Sequence, residues 1–379
     1  MDFTYPAAAE AFRSEVRQWL AANLPRDLPE VTRIERDGEA LQRLRAWNRC
    51  LAEAGFAAIA WPPEYGGRGA DLMDQMVFAE EMDRAGAPGT LNPLGLANIA
   101  PAIMQWGTEE QKRRFLPRML RGDDIWCQGF SEPNAGSDLA SLSTRAGRDG
   151  EEFVVNGQKV WNTLGHLATW CELLVRTDPA RPKHQGISCL LVDMTLPGVE
   201  VRPLVTITGE GEFSEIFFTD VRVPASALLG PLNEGWKVAM TTLTHERGGV
   251  ASLHLRVRRS IRELIDAARQ RGRDRDPLVR QALARVYLEG EYLKLLADRA
   301  ISGQLHGRPM GPESSLAKLV WSDIENHLAD ASGLVLGPDA NTGSWGRQRV
   351  YVRAVSIAGG TTQVNKNIIA QRILGLPRS

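Results

Sequence analysis

The chain has 379 residues, 43% hydrophobic and 24% charged, which is the composition of a folded globular protein long enough for two or three domains. Its 45 basic and 46 acidic residues leave a net charge of −1, so no broad positive field exists to hold a polyphosphate backbone, and nucleic-acid binding is not expected. Apolar runs fall far short of the roughly 18–20 residues of a membrane span. The N-terminus shows no basic stretch followed by an apolar one, and Cys50, Cys127, Cys171 and Cys189 lack metal-ligand spacing. The expectation is a soluble, cytoplasmic protein without a metal site.

Helical signals fill residues 1 to 122. Ala7 to Leu20 and Glu39 to Ala54 have helical composition, with Gly55 as a stop after the second. Trp61 to Gly69 is broken by prolines and glycines into a loop. Asp71 is placed to cap a helix running to Arg84, and Thr108-Glu109-Glu110-Gln111 reads as a capping box opening a helix that ends at Gly122. The pattern then changes. From 123 to 230 come short runs rich in Val, Ile, Phe and Thr. Asp149-Gly150 and Asn156-Gly157 act as hairpin signals around Phe153-Val154-Val155, followed by strands at Cys171–Arg176, Gly186–Val192, Val199–Leu204 and Phe213–Val223. This spacing predicts an antiparallel sheet or small barrel. Helix returns from 231 to 379. Asp276-Pro277 supplies an N-cap and an N1 proline, and Val279, Leu283, Val286, Tyr287 and Leu293 begin the buried face of a long helix. A second such face runs from Leu316 to Ala331, with Gly333 ending it. The fold class is therefore α+β: an N-terminal all-α domain, a central antiparallel β-barrel domain and a C-terminal helical bundle.

Common motifs are absent. No GxGxxG follows a predicted strand and there is no GxxxxGK[ST]. His245-Glu246 lacks the second histidine of a zinc protease, and Gly129 to Pro133 has proline where GxSxG needs glycine. Three other segments are more telling: Gln128-Gly129-Phe130-Ser131-Glu132-Pro133-Asn134-Ala135-Gly136-Ser137-Asp138, then Asn156-Gly157-Gln158-Lys159-Val160-Trp161-Asn162-Thr163, and finally Ile357-Ala358-Gly359-Gly360-Thr361-Thr362-Gln363. The first places small and hydroxyl side chains around a glycine, a loop able to face an anion. On local chemistry alone it also reads as a domain-boundary turn, and Trp161 as a core tryptophan at a hairpin end.

In this order and this helix–sheet–helix frame, the three segments resemble the acyl-CoA dehydrogenase family of flavoproteins over essentially the whole chain. The resemblance implies a C-terminal four-helix domain and an FAD lying between the β domain and that bundle, its adenine end reaching a neighbouring subunit. It implies that Gln128, Phe130 and Ser131 line the flavin ring, that Trp161 covers it, and that Thr163 bonds near its N5 edge. Ser137 would sit near the pyrophosphate and the substrate's CoA portion, while Thr361 and Gln363 match terminal FAD contacts. Arg271 stands at the arginine of the family's Arg-x-x-Phe-Gly segment, but Asp274 and Arg275 replace Phe-Gly. Ala331-Ser332-Gly333-Leu334 stands where the family has Gln-x-x-Gly-Gly.

The family reaction is the 2,3-dehydrogenation of an acyl-CoA thioester: a carboxylate takes the α-proton and the β-hydrogen leaves as hydride to flavin N5. Many members carry that glutamate just before the Gly-Thr of the last motif, where this chain has Gly359. A second family position precedes an arginine on the helix after the Gly-Trp segment. Here it reads Thr244-His245-Glu246-Arg247, which makes Glu246 the expected base and Arg247 a substrate-side or orienting group. Glu246 has a competing role as a structural partner of Arg247 or Arg256. Gly359 and Gly360 keep backbone N–H groups for the thioester carbonyl and leave room for a bulky acyl chain. The implied partners are an acyl-CoA, an electron-transfer flavoprotein, and further subunits in a homodimer, homotetramer or heterotetramer with a related chain. The alternatives are a non-catalytic partner subunit of such a heteromer, and a flavin oxidase or monooxygenase on the same fold.

Overall fold

The computed structural model describes residues 5–29, 38–246, 252–308 and 311–377. Helices α1 (Ala7–Asn23), α2 (Glu39–Glu53), α3 (Leu72–Ala85), α4 (Ala100–Trp106) and α5 (Glu109–Arg121) come first. Their ends follow local chemistry. Asp71 accepts the amide hydrogen bond of Asp74 and opens α3. Thr108 and Gln111 form a reciprocal capping box at α5, which closes on Gly122 in the left-handed conformation.

The middle region is one eight-stranded sheet: β1 (Trp126–Gly129), β2 (Arg145–Asp149), β3 (Glu152–Thr163), β4 (Trp170–Arg176), β5 (Ile187–Asp193), β6 (Val199–Leu204), β7 (Phe213–Pro224) and β8 (Leu228–Leu229). The order is β6-β7-β3-β2-β4-β5-β8, with β1 also on β4. Residues from both ends of this path, such as Val155 and Ile216 on one side and Leu173 and Leu190 on the other, enter one buried core. The sheet thus curls around its own interior. Most pairs are antiparallel as expected, but β1 and, at one residue pair, β2 run parallel to β4. The long connections to β4 permit this, and β1 and β2 share one edge of β4 in succession.

Two glycine readings need correction. Asn156-Gly157 is not a turn: β3 runs through it with a register shift against β7. The glycine is there for space, since a Cβ at 157 would lie 2.5 Å from Thr144 Oγ1. The hairpin turn is at Gly150, between β2 and β3. Gly333 does not end its helix either, because α9 continues to Leu336. Its bare surface accommodates the guanidinium of Arg349, which donates to Ala329 O one turn earlier.

The last helices are α6 (Gly235–Glu246), α7 (Leu253–Gln270), α8 (Pro277–Leu305), α9 (Glu313–Leu336), α10 (Gly343–Val355) and α11 (Thr362–Ile368). Asp276 accepts from the Leu278 and Val279 amides at the start of α8. Val257, Ile261, Val286, Leu293, Ile324 and Leu328 share the core of α7, α8 and α9. Tyr287, expected on the buried face of α8, is exposed.

The described chain forms two compact units. One joins residues 1–17, 71–86 and 247–379; the other joins 18–70 and 87–246, so α6 packs with the sheet and with α4. In the first unit Glu81 is buried and held by Arg13, Arg17 and Arg84. In the second, Trp19 meets Trp47 and Phe56. No described helix is long and apolar enough to cross a membrane.

Candidate active site

Three hydrogen bonds stitch the loop after β1 to the far end of β3. Asn162 Nδ2 donates to Gln128 O at 2.6 Å, the Val160 amide donates to Ser131 O at 2.9 Å, and Lys159 Nζ donates to Phe130 O at 3.0 Å. These contacts bring Gln128, Phe130, Ser131, Trp161 and Thr163 into one cluster. Phe130 is buried, Gln128, Ser131 and Thr163 are half-buried, and Ser137 is exposed farther along the loop.

Beneath the loop lies a buried ion pair. Lys159 Nζ is 2.8 Å from Glu132 Oε1, and Glu132 also accepts from the Ser143 amide and hydroxyl and the Thr144 amide. Burial works against the Glu132 charge, but the Lys159 ammonium and these donors outweigh it and hold the carboxyl at about 2. A fully satisfied buried pair of this kind fixes the loop's path, because breaking it leaves an uncompensated charge. Sequence reasoning missed both residues, since a lysine inside a strand carries no mark of its own burial.

Trp161 is the unusual residue. The β3–β7 register breaks between Lys159 and Asn162, and Trp161 sits there with φ +63° and 59% of its surface exposed. The Phe213 ring meets it edge-on at 5.9 Å. A tryptophan in the left-handed region is strained, and the bulge turns it out of the sheet. The core-tryptophan reading is therefore wrong.

Helix α6 belongs to the same unit and ends at Glu246; Arg247 lies outside the described residues. Gly235 lets the helix start close against β5, where a Cβ would come 2.4 Å from Ser188 C. Glu172 on β4 was also missed. It is fully buried, it takes a 2.7 Å hydrogen bond from the Thr242 hydroxyl of α6, and burial pushes its carboxyl up to about 8 despite that donor.

In the other unit, Gly359 and Gly360 both have positive φ. The buried Lys318 clamps the segment, donating to Val355 O at 2.9 Å and Gly360 O at 3.0 Å, and Asn365 donates to Gly360 O at 2.7 Å. The Thr361 hydroxyl caps α11 by accepting from the Val364 amide. Gln363 and Arg271 are exposed, and Arg271 pairs with Asp339 at 2.8 Å. On α7, three arginines pair within the same unit: Arg256 meets Glu325, Arg258 meets Glu291 and Arg259 meets Asp83.

Family models match along almost the whole length: the acyl-CoA dehydrogenase N-terminal domain over residues 6–123, the middle domain over 127–221 and the C-terminal domain over 233–374. The chain belongs to the acyl-CoA dehydrogenase family. Acyl-CoA dehydrogenase IpdE1 of Mycobacterium tuberculosis is 41% identical over 380 residues, covering 97% of this chain and 98% of that protein. Among solved structures, the Tcur3481-Tcur3483 steroid ACAD matches with a TM-score of 0.88 at 33% identity over the whole of both chains. The ChsE4-ChsE5 complex from Mycobacterium tuberculosis matches with 0.85 at 35%, again over both whole chains.

This acyl-CoA dehydrogenase is accordingly an FAD-dependent oxidoreductase. Its β-domain cluster fits a flavin ring: an aromatic face turned outward at a strained position, flanked by half-buried amide and hydroxyl side chains. One buried donor, Gln128 Nε2, has no partner among the described residues.

Proposed function

We propose that the chain dehydrogenates an acyl-CoA thioester between its α and β carbons, with Glu246 as the base. Trp161 supports this reading: in a chain of this family it is strained and exposed beside the Gln128–Ser131 segment, as a ring-covering residue would be. FAD, when bound, supplies the hydride acceptor. Gln128, Phe130, Ser131 and Thr163 would hold its ring with Trp161, and Ser137, Thr361, Gln363 and Arg271 would be further contacts of the cofactor. Glu246 removes the α-proton, a role in which a desolvated carboxylate gains basicity. Arg247 orients the substrate, Ser137 also contacts its CoA portion, and the Gly359 and Gly360 N–H groups polarise the thioester carbonyl. Glycine at 359 removes a side chain from the acyl site. Together with a solved relative titled a steroid ACAD, this favours bulky, ring-bearing acyl groups. The domain limits we assign are 1–122, 123–230 and 231–379. Electrons pass on to an electron-transfer flavoprotein in the cytoplasm, in keeping with four unpaired cysteines.

A second reading, a half-site subunit of a heteromer, draws on the ChsE4-ChsE5 complex among the neighbours and on the altered 274–275 and 331–334 segments. The visible spectrum of the chain purified alone separates the two. About one FAD per chain supports a complete site, while protein that stays colourless after added FAD supports the half-site. An acyl-CoA panel with an artificial electron acceptor then tests the reaction. Glu246→Gln is expected to lose several orders of magnitude in turnover while keeping its flavin. Unchanged turnover removes Glu246 from the mechanism, and rapid reoxidation of reduced flavin in air would favour an oxidase.

A further inference from the structure

Glu172 is a buried acid with no basic partner among the described residues. On its own strand it sits between Cys171 and Leu173; across the strand pairs it faces Gln128 of β1 and Leu191 of β5. Cys189 Sγ of β5 lies 4.0 Å from Oε1, and Thr242 approaches from α6. Oε2 is buried and has no partner among the described residues. The titratable neighbours are thiols, Cys171 and Cys189, and burial raises both well above the ordinary range, so they bring no charge. An acid placed this way costs stability, and an apolar or amide side chain of similar size would cost less. Residues that break a local rule at such a cost concentrate where function needs them.

The surroundings indicate what this one does. Thr242 lies one helical turn before Glu246, so positions 242 and 246 share a face of α6. Gln128, opposite Glu172 in register, belongs to the flavin-ring cluster. The N-terminal end of α6 is already fixed, by the close approach of Gly235 to β5 and by the Ser188 hydroxyl, which accepts from the Asn233 amide at 2.8 Å. Trp106 of α4 donates to Thr241 at 3.0 Å on another face. Glu172 is the sheet's polar hold on the last turn and a half of the helix.

We propose that Glu172 is a positioning residue: through its hydrogen bond with Thr242 it ties the C-terminal end of α6 to β4, beside Gln128, and so fixes residue 246 relative to the flavin-ring strand. The proposal rests on Glu246 as base for its effect on turnover, but not for its effect on the helix. Three variants of the flavin-loaded enzyme test it: Glu172→Leu, Thr242→Val and Glu172→Gln. Glu172→Leu removes a buried acid without opening a large cavity, so it should raise Tm. It should also speed hydrogen exchange of the α6 amides after position 241 and lower kcat on the order of tenfold at unchanged KM, the scale expected of a small misplacement. Glu172→Gln, which keeps a polar group within reach of Thr242, should restore kcat and exchange protection. Thr242→Val should reproduce the exchange and kcat effects if the leucine variant does not fold. A purely structural acid predicts otherwise. Raised Tm with wild-type exchange and wild-type kcat in Glu172→Leu overturns the proposal. Glu246→Gln measured alongside separates the two claims: full turnover there removes the base assignment, while exchange in the Glu172 and Thr242 variants still decides whether Glu172 holds the helix.

Discussion

Two buried glutamates in the β unit have opposite fates. Glu132 is ringed by an ammonium at 2.8 Å and three further donors and is held at about 2. Glu172 has one hydroxyl partner and is pushed up to about 8. The residue type is the same, but Glu172 lies deeper, and only Glu132 has a cation and several donors within reach to offset its burial. Glu132 therefore serves as a fixed anion that shapes the loop after β1. Glu172, whose burial favours the protonated form, suits the proposed role of holding a helix without adding a charge.

The contrast makes opposed predictions. Lys159→Met should have the largest effect: it strands the Glu132 anion and should cost about 3–5 kcal/mol, read from urea unfolding, with loss of bound flavin as the loop moves. A loss below 1 kcal/mol would show that the pair is not what secures the loop. The next effect is in the pH dependence of stability. Glu132, depressed below its unfolded value near 4.5, contributes stability that is present above that pH and lost as pH falls toward 2. Glu172, raised above its unfolded value, makes the protein less stable as pH climbs from about 4.5 to about 8. Glu172→Gln should accordingly flatten Tm between these limits and raise it at pH 8, leaving the acid limb intact. An unaltered slope would mean that Glu172 is already ionised at neutral pH. The smallest effect belongs to Ser143→Ala, which removes one of the Glu132 donors and should cost about 1 kcal/mol.

Much of the fold was legible because short-range chemistry decides it. Val199–Leu204 is a strand from end to end as read, and the capping box at Thr108 and the cap at Asp276 start their helices. Legibility failed where a glycine answers to a distant neighbour. Gly157 yields to Thr144 and Gly333 to Arg349, and both mimic the signal of a turn or a stop. The site divides in the same way. The Gln128–Ser131, Trp161 and Gly359–Thr361 segments stood out as motifs. Lys159, Glu172 and Lys318 did not, because a buried polar group is defined by partners 27, 70 and 37 residues away, and no spacing rule connects them.

The decisive measurement is anaerobic rapid mixing of acyl-CoA with wild-type enzyme and with Glu246→Gln, following flavin absorbance. The account predicts that the wild type bleaches and that the variant binds the thioester with its flavin still oxidised. Bleaching of the variant at the wild-type rate would contradict it, and the proton would have to leave to another group.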